Sequence, residues 1–559
     1  MSRKKKKTAG KEKLDIKNTG YSEGGASHQS NILKGWNPVK SSSKSDIDLN
    51  LNTLRNRAAD EAINTPVGAA ALNTSATHAI GTGLTLFPRP RFSELGLTVK
   101  ESREWIKKAR SEFELWAESK ECDLYRRNNF YDLQDIAYLS YMTDGDAFAL
   151  FRRKLPTSGN PYTLRIQLLE ATRVSNPINS GFTTVNNVEM FAPIKGHRII
   201  SGVEVDKDGA VTAYWVSNKV PYDHIDLSGV VEWQRVEAYG KRTGTPNILQ
   251  ICHDVRADQY RGVPYLAPVL ETLKQTSRYT TAELASAIVK SFFSLFFTSS
   301  GASGGDLNTI LGQGIEMDPN APVVDVGEYA LGPGTLNALP MGVDVKAMDA
   351  SNAQSTFGIF IQELIKQIGA ALGQPYEVLM KNFTSSYSAS RAALLQAWDE
   401  YKQRRVWFAR DFCQPVYEIW LAEAVANGRI DCPGFFDDPR IRKAWSCAEW
   451  YGPTMSILDP VKDMKGSMLR VQSGLSTGER EAAEMTGSDY EDNLHQLAYE
   501  NELRESLGLP TSNTAFATEG GEENGKDSDN DDNSEVLEGD EQGRGERTRR
   551  NVPIWRNHS

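Results

Sequence analysis

The sequence predicts an α+β protein in which helices and a block of antiparallel strands are framed by two unlike tails. Three observations carry this. Apolar residues recur at helical spacing in several separate stretches. Four strand-like runs follow Gly145, two of them flanking a hairpin-type loop. Both ends are too polar to build a core. The chain has 559 residues, 39% of them hydrophobic and 24% charged. That length suggests about three to four domain-sized units.

Taken in order, the first tail runs to about Ser45. Residues 1–46 hold eleven Lys/Arg against four Asp/Glu, beginning with the cluster "RKKKK" at residues 3–7. This cluster reads either as a nucleic-acid contact or as a solvated end. The N-terminus lacks the apolar stretch of a signal peptide. In "ESREWIKKARSEFELWAES", Trp105, Ile106, Ala109, Phe113, Trp116 and Ala117 make one apolar helical face. The runs "AFALFRRK", "TLRIQLLE", "HRIISGVEV" and "AVTAYWVS" then read as strands. The last two flank "DKDG", where Gly209 can take the positive φ of a hairpin loop. Together these predict a small helix-plus-antiparallel-sheet domain.

From Arg261 the pattern becomes helical, with Pro264 and Pro268 suited to a helix entrance. The most apolar run, "ASAIVKSFFSLFF", is interrupted by Lys290 and is shorter than the ~20 residues that cross a bilayer. A Gly/Pro-rich stretch with short strand-like pieces follows. Then Phe357, Phe360, Ile361, Leu364, Ile365, Ile368 and Leu372 line one helical face, with Gln362, Glu363, Lys366 and Gln367 opposite. Gly373 and Pro375 end that helix. Leu394, Leu395, Trp398, Tyr401, Phe408, Phe412 and Val416 mark another long helix, with a bend expected at Pro415. Shorter helices run from Met455 to about Leu507, one of them capped by Ser476 or Thr477. The second tail, 515–559, holds six Lys/Arg against twelve Asp/Glu.

With a total of −10, the body 47–514 carries −11. Such a body repels phosphate over most of its surface, unlike a protein that grips DNA tightly. The five cysteines contain no Cys-x-x-Cys, which argues against a zinc ribbon or a disulfide framework and for a reducing compartment.

Chemical motifs are near-misses. Tyr387-Ser388-Ala389-Ser390-Arg391 is one residue from the Tyr-x-Ala-Ser-Lys signature of short-chain dehydrogenases. Arg391 cannot replace the signature lysine, and no Gly-rich pyrophosphate turn lies upstream. A Ser-rich loop capping a helix that starts near Arg391, with Ser388 or Ser390 as N-cap, is the plainer reading. Asp527, Asp529, Asp531 and Glu538 match calcium-loop positions, but Asp532 stands where such loops need Gly. No Gly-x-x-x-x-Gly-Lys loop occurs. We therefore expect no enzyme activity, cofactor or metal.

Four stretches in order carry a family resemblance: "LLEATRVSNP", "DQYRGVPYLAPVLETLKQTSRYTTAEL", "PGTLNALPMGVDVK" and "SYSASRAALLQAW". With weaker similarity over about residues 30–510, the chain resembles a tailed-bacteriophage portal protein of the lambda-type portal family. "MGVDV" departs from the Pro-Gly-Glu usual in the family, and "GQPYEVLMKNF" is a variant of its Tyr-Glu loop. The resemblance implies a portal fold with helical stem, α/β wing, small β-containing clip and helical crown, assembled as a ring of twelve subunits. Composition, not the resemblance, predicts a disordered tail over 1–45; the resemblance implies a wing over 46–267, stem helices over 268–297 and 350–372, and a clip over 298–349. The channel loop and a long wing helix would fill 373–440 and crown-like helices 441–514, while composition predicts a second disordered tail over 515–559. Loop candidates are Lys381, Asn382, Phe383, Thr384, Ser385 and Ser386; Phe357, Phe360, Ile361, Leu364, Ile365 and Ile368 would pack the stem. Implied partners are double-stranded DNA, a packaging ATPase (large terminase subunit), capsid and scaffolding proteins and a head-completion or adaptor protein, with no membrane. The place implied is the capsid portal vertex, reached through assembly in the host cytoplasm. A different DNA-associated virion component is the alternative reading.

Overall fold

A computed structural model describes residue 26 and residues 31–178, 188–221, 229–292, 296–299, 343–346, 354–383, 386–455 and 460–510. Residues 1–25 and 27–30 of the first tail, the whole second tail, most of the expected clip, and Thr384 and Ser385 lie outside the described residues. The chain divides into two units, Met1–Gly487 and Ser488–Ser559.

The first unit opens with α1 (Leu51–Asn64) and α2 (Pro66–Ala79), the second entered through a proline at its first position. β1 (Thr85–Pro88), the single-turn α3 (Phe92–Leu95) and α4 (Val99–Ala117) follow. α4 starts in a capping box: the Glu101 N–H donates to the Thr98 hydroxyl, and the Thr98 N–H donates to the Glu101 carboxylate at 2.8 Å. The face predicted by spacing is the buried one, with Trp105, Ala109, Phe113, Trp116 and Ala117 all inside. Phe113 lies edge-on to Trp420, Tyr417 and Phe130, so α4 shares one aromatic core with helices far along the chain.

α5 (Phe130–Asp144) ends on Gly145 at φ +90° and leads into β2 (Asp146–Arg153). β2 is the middle strand of an antiparallel sheet with β3 (Leu164–Leu169) and, after a long excursion, β9 (Ile248–Cys252). The excursion is a second antiparallel sheet in sequential order: β4 (Glu189–Phe191), β5 (Arg198–Ile200), β6 (Val203–Val205), β7 (Val211–Ser217) and β8 (Trp233–Glu237). The expected hairpin joins β6 to β7, with Gly209 at φ +90°. The run "HRIISGVEV" is two strands rather than one. Ser201 at φ +48° and Gly202 at φ +89° reverse the chain within it. A Cβ on Gly202 would sit 2.5 Å from the Ser175 nitrogen, so glycine is required by a neighbour distant in sequence.

Both ends of the excursion converge on one buried carboxylate. Asp146 is fully buried and accepts from Arg55 Nη2 at 2.6 Å, Arg261 Nε at 2.7 Å and the Gly262 N–H at 3.1 Å. Arg261 also donates to the carbonyls of Ala171 and Val174. Burial alone would push the Asp146 proton affinity up, but the two guanidiniums outweigh it and hold the carboxyl below its ordinary range. Gly145 and Gly262 touch backbone to backbone: a Cβ on Gly262 would lie 1.8 Å from the Gly145 carbonyl oxygen. The stretch "DQYRGVPYL" is thus the clasp joining α1, the three-stranded sheet and the next helix.

That helix is α6 (Leu270–Phe292). It ends earlier than the expected 268–297, because the aromatic and β-branched residues Phe296–Ser299 form β10, paired antiparallel with β11 (Val343–Lys346). α7 (Gln354–Leu372), the short α8 (Tyr376–Met380) and α9 (Tyr387–Phe408) come next. Just before Pro415 the helix widens into a π-turn, Ala409–Cys413, and continues as α10 (Gln414–Ala426). After α11 (Pro439–Trp445), β12 (Ala448–Tyr451) pairs with β1. α12 (Pro460–Gln472) and α13 (Gly478–Thr486, capped by Thr477) complete the unit, and the second unit contributes α14 (Tyr490–Ser506).

Candidate functional site

Two helices and the loop after them form the candidate site. α6 and α7 run antiparallel. At their root, Leu273 of α6 and Ile365, Ile368 and Leu372 of α7 are buried in the main core. Farther out, Tyr279 packs against Phe357 and Phe360 with ring centroids 5.5 and 5.0 Å apart. Ile361 and Leu364 are partly buried between these two zones. From here outward the described residues leave the pair only partly covered. Phe360 is 50% exposed and Ile359 64%, and on α6 Leu284 and Ile288 are exposed as well. The predicted apolar face therefore exists, but among the described residues only its root is enclosed.

The end of α7 is fastened by residues that spacing alone did not single out. Gly373 turns at φ +69°, and the Gln374 N–H donates to the Gly369 carbonyl at 2.8 Å. A Cβ on Gly369 would approach the Gln374 carbonyl oxygen to 2.3 Å, so the turn needs glycine there. The buried Gln374 side chain donates to the Ala71 carbonyl at 2.8 Å and to the Tyr265 hydroxyl at 3.2 Å. Tyr265 in turn donates to the Leu372 carbonyl. The Arg404 guanidinium lies 4.6 Å over the Tyr265 ring. Pro264-Tyr265 and the Gly373-Gln374-Pro375 string are the sequence signals of this clamp; the pairing between them is a tertiary fact.

On this base sits a short exposed tip. Lys381 caps α8 in the left-handed conformation at φ +52°, unusual for a residue with a Cβ. Lys381, Asn382, Phe383 and Ser386 are all exposed. Ser386, not Ser388 or Ser390, is the N-cap of the following helix: its hydroxyl accepts from the Ala389 N–H at 3.4 Å, and the helix starts at Tyr387 rather than near Arg391. The dehydrogenase-like string is the first turn of α9, and Arg391 pairs with Asp463 at 2.8 Å.

Behind the tip, His78 in the last turn of α2 stacks on Tyr401 at 5.1 Å. Arg405 donates to the carbonyls of His78 and Ala79 at 2.9 Å and of Pro453 at 2.8 Å, closing the end of α2. Burial first, then the charges of Lys381 and Arg405, hold the His78 imidazolium below its ordinary proton affinity. Among the described residues no group of three His, Cys, Asp or Glu side chains could hold a metal ion, and no helix is long and apolar enough to cross a membrane. Among the described residues the arrangement offers a small exposed tip carrying Lys381 and Asn382, on a hydrogen-bonded base beside a helix pair whose outer apolar end is uncovered.

Comparison with known proteins gives a consistent match. The sequence profile "Phage portal protein, lambda family" matches residues 29–405. Portal protein B of Escherichia phage lambda is 25% identical over 517 residues, covering 90% of this chain and 93% of its own. The portal protein of Escherichia phage N15 is 26% identical, covering 90% and 94%. A probable portal protein of Halomonas phage phiHAP-1 is 23% identical, covering 82% of each. Among solved structures, the neck of a native GTA particle computed with C12 symmetry aligns at a TM-score of 0.39 and 13% identity over 82% of this chain and 94% of that one. The neck of an empty GTA particle computed with C6 symmetry aligns at 0.40 and 14%, over 83% and 94%. The chain belongs to the lambda family of phage portal proteins, a structural family of the bacteriophage virion.

Proposed function

We propose that copies of this chain close into a ring, twelve in the particle, at one capsid vertex, and that double-stranded DNA passes through it during packaging and ejection. In this reading α6 and α7 are the stem, residues 298–349 the clip, and residues 373–386 the loop that faces the channel. The observation that carries it is the α6–α7 pair, whose root is enclosed and whose outer apolar residues are not covered by the described residues of the chain. A second copy on each side supplies the missing cover. The acidic body supports the same reading. DNA presents a phosphate about every 1.7 Å of axis, and a strongly basic lumen would hold it rather than let it slide.

The chain carries no phosphate loop, so a separate packaging ATPase, the large terminase subunit, supplies the work. Capsid and scaffolding proteins hold the ring at its vertex, a head-completion or adaptor protein follows it, and assembly proceeds in the host cytoplasm. Lys381 and Asn382 make transient phosphate contacts from the loop tip. Deleting 381–386 tests the loop, because none of its described residues belongs to the main core. Rings form normally and DNA packaging or retention falls. Normal packaging of full-length DNA by the deletion variant would remove the loop from the mechanism.

A further inference from the structure

The C-terminal helices carry a seam that neither the stem nor the loop uses. On α12, Val461, Met464, Met468 and Val471 recur at spacings of three, four and three, the repeat that lines one side of a helix in paired helices. All four are between 37% and 63% exposed. The helix is already held on a different side. Asp463 pairs with Arg391, Arg470 pairs with Glu481 of α13 at 2.6 Å, and the buried Ser467 donates to Met485 of α13. The apolar stripe is therefore not the side by which α12 is fixed.

α14 carries the matching pattern. Tyr490, Leu494 and Leu497 recur at four and three, with Asn501 four residues on. These three apolar side chains are also exposed, and no residue of α14 is buried. Each stripe is about 15 Å long at 1.5 Å per residue. Their charges are complementary. α12 has Lys462, Lys465 and Arg470 against Asp463 alone, whereas α14 has five carboxylates against Arg504 alone. Two like helices of either kind would repel along their flanks; one of each would attract.

We propose that α12 of one copy pairs with α14 of a second copy through these stripes, forming a continuous seam around the C-terminal end of the assembly. This rests on the reading that copies of the chain form a ring, and it names the contact that ties neighbours together away from the stem. Asn501, the one polar residue on the α14 stripe, would set the register of the pair.

The test is cysteine cross-linking in the full-length chain with ring imaging of the same samples. Differently tagged Met468→Cys and Leu497→Cys chains are co-expressed and oxidised, with each single variant alone as a control for the native cysteines. The expected result is a disulfide joining one tag to the other in the mixed sample only, and a ladder of multimers from the double variant. Lys465→Glu should lower the mixed cross-link several-fold, and high salt should do the same. Rings without any cross-link would overturn the seam while leaving the portal reading intact. A disulfide confined to single chains would overturn it too, assigning α14 to its own α12. Absence of rings in the unmodified protein would instead count against the portal reading itself.

Discussion

The root and the outer end of the α6–α7 pair are built from the same residue types and differ in what covers them. Ile365, Ile368 and Leu372 are enclosed by the core that also holds Phe113, Trp116 and Trp420. Ile359, Phe360, Leu284 and Ile288, on the same two helices, face solvent. Full burial of such a side chain stabilises by about 1.5–3 kcal/mol, of which these half-exposed residues forgo a part, and helices gain most of their stability from packing. The first region is stabilised by folding of one chain. In the proposed ring, neighbouring copies would stabilise the second.

The comparison predicts that damage at the root is felt by the monomer and damage farther out only by the assembly. The largest effect should come from the clasp behind the root. Asp146→Ala leaves Arg55 and Arg261 buried without their carboxylate, a loss of about 3–5 kcal/mol, read as a lowered denaturant midpoint of the isolated chain. Ile368→Ala opens a cavity at the root and should cost about 2–5 kcal/mol in the same measurement. Phe360→Ser should change monomer stability much less, within about 1 kcal/mol, while sharply lowering the yield of rings. If Phe360→Ser destabilised the monomer as much as Ile368→Ala, the division between the two regions would be wrong.

A smaller effect reports on the joint between loop and core. His78 binds a proton less readily when folded than its ordinary 6.5. The unfolded chain therefore takes up more protons just below pH 6.5, and stability from this group is lost as pH falls from 6.5 toward the lowered folded value. Asp144 has the opposite sign: burial raises it to about 6, so its contribution declines as pH rises from 3.8 through 6. Lys381→Ala removes one of the charges acting on His78 and leaves Asp144 as it was. The variant should lose less stability than the parent on acidification from pH 7.5 to 5.5, measured by chemical unfolding at each pH. Identical pH profiles would mean that the loop tip does not sense the end of α2.

Much of this was legible in the sequence where local chemistry decides. The apolar face of α4 and the hairpin at Gly209 follow from spacing and turn residues, and the cap of α13 was narrowed to Ser476 or Thr477, of which the structure uses Thr477. The N-cap of α9 did not, because Ser386, Ser388 and Ser390 are equally competent by type; Ser386 is the one whose hydroxyl receives the Ala389 N–H. The break at Ser201-Gly202 was hidden because the close neighbour that requires it is Ser175. Arg261 could be quoted within a family stretch, yet its role depends on Asp146, 115 residues away. A carboxylate opening an otherwise apolar strand after Gly145 was the available signal that a buried cation must meet it. For the stem, periodicity revealed an apolar face but could not say what covers it, since its outer half is covered by nothing in the chain's own described residues.

The central claim is that this chain completes its fold only among copies of itself. Native mass spectrometry of the purified full-length protein, with electron microscopy of the same sample, tests it most directly. The account predicts a closed ring of about twelve subunits with a central hole, and dissociation of that ring by Phe360→Ser without unfolding of the subunit. A stable monomer at all concentrations, or a compact oligomer with no hole, would contradict it.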